Sequence, residues 1–354
     1  MSEESLISES AGTGPLPWHE NAWRDLMARR QAGRLPHGLM ITGPAGAGKA
    51  RFALALAQSQ LCHSPLEDGS ACGQCNACRQ FLAGSHPDWR TMGIDAKRKN
   101  ILIDQVRALS EWFSLTASGG RGKLAMIEPA DRMTAGAANS LLKTLEEPPG
   151  DSRLLLISAL PGRLTATIRS RCQQIAIALP ARARAMEWLD QQTDSSGDNE
   201  AALDLAGGSP LKALTVLDEG LLEQAQENAV ALMAVGTGRA SLVATAEKWA
   251  RQDLTSLLAW WRVWLQNLAR YVQSGGRYRS QLIDRQGGNL QKIASAVAPD
   301  ALHELLLALQ AAERRQDSAN PQLLLESLLG HWARACGIIA NPRANRRSSR
   351  EVTP

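Results

Sequence analysis

The sequence contains no run of about 18 apolar residues, so no helix that could cross a hydrocarbon core is expected. Its first fourteen residues, MSEESLISESAGTG, are polar and acidic. They offer no apolar stretch of the kind a secretory leader needs, and a cytoplasmic location is expected. Phenylalanine and tyrosine are scarce, at three and two residues, against ten tryptophans; that bias points to no particular function. Strong charge is also missing. A net charge of +4 permits contact with nucleic acid without supplying the basic stripe of a committed DNA binder. What remains is an ordinary globular balance of 44% hydrophobic and 21% charged residues, in a 354-residue chain long enough for two or three domains.

The chain changes character near position 180. Before it, short apolar runs alternate with helical patterns. Strands are expected at Leu39–Thr42, Lys123–Ile127, Leu154–Ile157 and Gln174–Ala178, with a helix from Arg51 to Leu61. Thr134 can cap a further helix, whose apolar positions Ala138, Leu141, Leu142 and Leu145 follow helical spacing until Pro148-Pro149 stops it. This alternation predicts a mostly parallel sheet covered on both faces. After Pro180 every pattern is helical. A small section ends at the Gly207-Gly208-Ser209-Pro210 loop, and from about 221 long amphipathic segments follow. Trp260, Trp261 and Trp264 share one of them and are expected in a core.

Gly43-Pro44-Ala45-Gly46-Ala47-Gly48-Lys49-Ala50 fits a phosphate loop between a strand and a helix. In such a loop the glycines let backbone N–H groups curl around phosphate, and Lys49 would reach the terminal phosphates. The next position should carry a hydroxyl for Mg²⁺, but Ala50 carries a methyl group. Hydrolysis also needs an acidic pair after a neighbouring strand, one carboxylate for the metal and one to polarise water. The chain offers Glu128-Pro129 instead, so ATP hydrolysis is not expected. Whether Gly43, Gly46, Gly48 and Lys49 still bind nucleotide, or only form a turn, stays open at this level.

Cys62, Cys72, Cys75 and Cys78 are spaced C-x9-C-x2-C-x2-C. In a reducing compartment such clusters bind metal. Four thiolates suit a closed, structural zinc site, while the run lacks the further cysteine and proline of a bacterial ferredoxin. His63 and His86 lie close in sequence, but four cysteines already fill a tetrahedral shell. Cys172 and Cys336 stand alone and read as small packed residues.

The order of a phosphate loop, a four-cysteine module, Ser140-Leu141-Leu142-Lys143-Thr144-Leu145-Glu146-Glu147-Pro148-Pro149 and Ser170-Arg171-Cys172 is distinctive. It resembles the bacterial sliding-clamp loader of DNA polymerase III, a branch of the AAA+ ATPases, and within it the delta-prime branch. The likeness runs from about Leu16 to Ala340 and includes Arg34-Leu35-Pro36-His37-Gly38-Leu39 and Asn320-Pro321-Gln322-Leu323-Leu324-Leu325-Glu326.

The resemblance implies an α/β AAA+ base at 15–179 with a zinc module inserted at about 60–90. A helical lid at 180–220 and an all-α collar at 221–340 would follow, with disordered tails at 1–14 and 341–354. It implies a hetero-pentameric ring with delta and gamma/tau subunits, which opens the beta sliding clamp and places it on primed DNA within a nucleoid-associated replisome. ATPase members of the family carry Asp-Glu where this chain has Glu128-Pro129, and Ser or Thr at Ala50. The chain then resembles a stator, and Arg171 an arginine finger that serves the neighbouring subunit's ATP. Lys212 stands one position late for the lid arginine of ATPase members, Ser158 replaces their sensor threonine, and Glu146-Glu147 receive no chemical role. No polymerase metal site is recognisable. A self-sufficient AAA+ ATPase using Glu128 for metal, and a zinc-stabilised DNA-binding module, are the rival readings. Pro129 disfavours the first, and the acidic flank Glu67-Asp68 the second.

Overall fold

The computed structural model describes residues 14–338, apart from 96–97, 194–195, 285–287 and 317–318. The terminal tails expected at 1–14 and 341–354 lie outside the described residues, Gly14 excepted. The chain divides into two compact units between Ala181 and Arg182.

In the first unit, five strands are seen among the described residues: β1 (Gly38–Thr42), β2 (Trp89–Met92), β3 (Leu124–Ile127), β4 (Arg153–Ser158) and β5 (Gln173–Ala176). They form one parallel sheet in the order β2-β3-β4-β1-β5. The helix α1 (Glu20–Gln31) precedes β1; parallel neighbours need crossovers, and these run through α2 (Lys49–Leu61), α3 (Asn76–Leu82), α4 (Ile103–Ser114), α5 (Ala135–Glu146) and α6 (Ala166–Arg171). Strand side chains alternate between the two faces. Leu39, Ile41, Leu124, Met126, Leu155 and Ile157 join Trp23 and Leu26 of α1 and Phe52 and Leu56 of α2 in one core. Met40, Ala125, Ile127, Leu154 and Leu156 join Trp112 of α4, Leu141 and Leu145 of α5 and Ile168 of α6 in the other. Both faces are therefore covered, which is why these strands read as unbroken apolar runs.

The strand β2 is absent from the sequence-based expectation. Trp-Arg-Thr-Met buries only its tryptophan and lies at the sheet edge, so neither alternation nor a continuous apolar run marks it. The cap of α5 is as expected: Thr134 Oγ1 accepts the Ala137 N–H at 3.3 Å. Register places Thr42 opposite Ser158 and Ile127 opposite Leu156. The loops that follow β1, β3 and β4 thus emerge at the same, carboxyl edge of the sheet, where α/β folds build ligand sites.

Among its described residues, the regular elements of the second unit are all helices: α7 (Arg182–Gln192), α8 (Ser196–Leu205), α9 (Pro210–Asp218), α10 (Leu221–Gly236), α11 (Leu242–Trp249), α12 (Leu254–Gln273), α13 (Gln281–Asp284), α14 (Gly288–Ala296), α15 (Pro299–Arg315) and α16 (Pro321–Ala335). Its core takes five of the ten tryptophans. Trp249, Trp260, Trp261, Trp264 and Trp332 are buried together with Leu258, Leu268 and Leu329. Trp249 and Trp261 meet edge to face at 5.3 Å between ring centroids, and Trp264 and Trp332 at 5.7 Å, the geometry that indole quadrupoles favour. Trp332 donates its indole N–H to Leu232 O at 2.8 Å. Asp204 is a buried polar joint in this unit. It pairs with Arg182 and accepts from Ser280 Oγ at 2.8 Å and from the Gln281 N–H at 3.1 Å. Cys172 and Cys336 are buried, and burial pushes the two thiols up to about 11 and about 12.

Candidate functional site

The loop between β1 and α2 takes the phosphate-loop form. Gly46 and Gly48 have φ values of 79° and 85°, in the left-handed region that only glycine enters freely. A Cβ at Gly43 would stand 2.0 Å from Ile177 O, and one at Gly48 would stand 2.5 Å from Leu16 Cδ1. The loop is braced from the N-terminal side. Trp18 Nε1 donates to Ala47 O at 3.0 Å, and His19 Nε2 lies 2.9 Å from the same oxygen. Leu16 N–H donates to His19 Nδ1 at 3.2 Å. A ring accepting at Nδ1 carries its proton on Nε2, so His19 donates to the carbonyl as a neutral imidazole. Burial accordingly lowers its pKa to about 4; the Ala47 bond opposes the fall and the Arg51 charge adds to it. Lys49, at the start of α2, is buried and donates Nζ–H to Pro44 O at 2.7 Å, a carbonyl of the loop itself. Ala50 follows with its methyl group.

Opposite the loop, Glu128 leaves the end of β3 with its N–H on Met92 O at 2.9 Å. Burial raises its pKa, and the Lys49 charge offsets part of the rise. Glu128 Oε2 is buried with no hydrogen-bond partner among the described residues. Pro129 occupies the next position. The next carboxylate along, Asp131, is already engaged: Ser158 Oγ donates to it at 2.6 Å while accepting the Leu160 N–H at 3.0 Å. Ser158 therefore makes strand-end hydrogen bonds at the edge of the sheet.

Arg171 is the last residue of α6. Its Nη2 lies 2.6 Å from Glu146 Oε1, and its Nη1 donates to Thr167 O at 3.1 Å. Its side chain is 37% exposed and that of Glu146 48%. Sequence reasoning assigned Glu146 nothing. The two residues are 25 positions apart, and only the packing of α5 beside α6 brings them together. In the second unit, Ser209 Oγ accepts the Lys212 N–H at 3.3 Å, and burial beside Arg262 lowers the Lys212 ammonium pKa.

The four cysteines converge. Cys62 ends α2, Cys75 caps α3, and all four Sγ atoms lie within 4.8 Å of one another. The Cys62–Cys72, Cys62–Cys75 and Cys72–Cys78 sulfur separations are 3.5, 3.9 and 4.0 Å. A tetrahedral ion with metal–sulfur bonds of about 2.3 Å requires sulfur separations of about 3.8 Å, so the donor set fits one metal. Backbone N–H groups of Cys72, Cys75 and Cys78 point at Cys62, Cys72 and Cys75 Sγ at 3.3–3.4 Å, and such donors stabilise thiolates bound to a cation. The module is clamped to α1. Trp23 Nε1 donates to Asp68 O at 3.1 Å, and Arg30 donates to Ser59 Oγ at 2.7 Å and to Gly69 O at 3.4 Å. Hydrogen bonds from Ser70 hold the Asp68 carboxyl below the usual range. His86 accepts the Asp88 N–H at Nδ1 and is not one of the four converging ligands.

A strand, a phosphate loop and a helix in a doubly covered parallel sheet, with a four-cysteine insert, define a phosphate-loop α/β protein, followed here by a helical second unit. Two family models match the chain, "DNA polymerase III, delta subunit" over residues 18–180 and "DNA polymerase III, delta subunit, C terminal" over 220–334. The DNA polymerase III subunit delta' of Pseudomonas aeruginosa is 36% identical over 326 residues, covering 90% of this chain and 97% of that protein. Subunit delta' of Escherichia coli is 37% identical over 201 residues, 56% of this chain and 60% of that protein. That of Yersinia pestis is 30% identical over 334 residues, 90% of this chain and 95% of that protein. The chain belongs to the DNA polymerase III subunit delta' family. No helix among the described residues is long and apolar enough to cross a membrane.

Proposed function

We propose that the chain is a catalytically silent stator in a hetero-pentameric clamp-loader ring. It would stand beside delta and gamma/tau subunits in the cytoplasm and help place the beta sliding clamp on primed DNA during replication. One observation carries this reading. A methyl group at Ala50 and a pyrrolidine ring at Pro129 stand where hydrolysis needs a metal-binding hydroxyl and a water-activating carboxylate. The loop's other contacts agree with a frame kept for its shape: Lys49 is turned onto Pro44 O, and Trp18 and His19 hold Ala47 O.

Arg171 is the residue with an outward task. Its partly exposed guanidinium would neutralise charge developing on the ATP of a neighbouring subunit, an effect worth roughly 10³–10⁵ in rate for such fingers. The same role cannot pass to lysine, which lacks the planar fork. Cys62, Cys72, Cys75 and Cys78 would hold a zinc ion, which supplies a structural tie and no chemistry. Neither polymerase nor ATPase activity is assigned to the chain alone. Steady-state ATPase assays on the purified chain with Mg²⁺ test this. No turnover above buffer is expected. Robust turnover abolished by Lys49→Ala would overturn the reading in favour of a self-sufficient ATPase.

A further inference from the structure

The partner of Arg171 is informative in itself. Nη2 of Arg171 meets Glu146 Oε1 at 2.6 Å, while Nη1 donates to Thr167 O at 3.1 Å and to Ser170 Oγ at 3.5 Å. A guanidinium has five N–H donors. These contacts engage three, and the Nε–H and one Nη2–H are without a partner among the described residues. The ion pair therefore orients the group without exhausting it.

The two sides of the pair differ in rigidity. Glu146 ends α5, a helix capped by Thr134 and anchored in the core through Ala137, Leu141 and Leu145. The end of that helix is tied again where His37 Nε2–H donates to Leu145 O at 2.7 Å. Arg171 ends the six-residue α6, whose single buried residue is Ile168. A long, mobile side chain on a short helix is thus held by a carboxylate on a firmly packed one. The pair is also partly solvated. Exposed ion pairs shift an equilibrium by about fivefold at most, so Glu146 can direct the guanidinium without competing strongly with a phosphate.

We propose that Glu146 is a positioning residue for Arg171, holding the guanidinium in one rotamer with two donors left for the neighbouring subunit's phosphate. Pre-orientation reduces the side-chain freedom lost when the finger engages. The proposal rests on the reading of Arg171 as a finger in trans.

The test uses the reconstituted loader ring with clamp and primed DNA. ATPase kcat and KM are measured for wild type, Arg171→Ala, Glu146→Ala, Glu146→Gln and the double alanine variant, with ring assembly followed by size exclusion. Glu146→Ala should lower kcat by about two- to fivefold and leave the KM for ATP unchanged. Glu146→Gln retains an acceptor oxygen at Oε1 and should recover most of the loss. In the Arg171→Ala background, Glu146→Ala should have no further effect. A wild-type kcat for Glu146→Ala beside a depressed one for Arg171→Ala overturns the role of Glu146 alone. A Glu146→Ala loss that persists without Arg171, or failure of either Glu146 variant to enter the ring, assigns Glu146 to structure and also overturns it. No change on Arg171→Ala overturns the finger reading instead.

Discussion

Mild acid should loosen the first unit through the buried imidazole of His19. His19 is fully buried, accepts the Leu16 N–H at Nδ1 and donates from Nε2 to Ala47 O. Burial, with the Arg51 charge, lowers its pKa from 6.5 to about 4 against the opposing Ala47 bond. Because the folded value is the lower one, the unfolded chain binds the extra proton between those limits, and unfolding free energy falls with falling pH. The stability tied to neutral His19 is fully present above pH 6.5 and is lost progressively as pH drops towards 4. Between pH 7 and pH 5 the loss comes to about 2 kcal/mol. Urea unfolding of wild type and His19→Gln at the two pH values measures it. His86 and His331, whose pKa values burial also lowers, titrate in both proteins and cancel in the comparison. Wild type should lose about 2 kcal/mol more than the variant. Equal losses would refute the assignment of a buried, neutral His19 braced against the loop.

Three further outcomes follow from the same contacts. Gly48→Ala forces a Cβ to within 2.5 Å of Leu16 Cδ1 at a φ of 85°; it should destabilise the first unit by about 2 kcal/mol or more in urea. Elemental analysis of the purified chain should find one zinc per molecule, and Cys75→Ser should lose it and expose Glu67, between Cys62 and Cys78, to a glutamate-specific protease. Metal retained by Cys75→Ser would contradict a four-thiolate site. Trp261→Ala removes a fully buried indole packed on Trp249; a loss of about 3–5 kcal/mol is expected by denaturant titration of the second unit, and a loss under 1 kcal/mol would contradict its place in the core.

Much of the sheet is legible in the sequence because parallel strands buried on both faces must be apolar at every position. Leu39–Ile41, Leu124–Ile127 and Leu154–Ile157 meet that requirement, whereas Trp89–Met92 at the edge does not, and it escapes notice. The glycines around Lys49 and the C-x2-C-x2-C spacing are local signals, since one turn of chain supplies most of each site. What stays hidden depends on contacts between distant segments. Trp18 and His19 reach Ala47 across 29 and 28 positions, and Arg30 reaches Gly69 across 39. No spacing rule announces such pairs. Glu146 is the clearest case: read along the chain it is a solvated helix end, and only the packing of α5 on α6 shows which arginine it meets.

Presteady-state phosphate release from the loader ring tests the central claim most directly, comparing wild type with Arg171→Ala in the presence of clamp and primed DNA. A finger in trans predicts that one nucleotide's worth of burst amplitude per ring is lost, the affected site slowing by about 10³-fold or more. An unchanged burst, in rate and in amplitude, would contradict it.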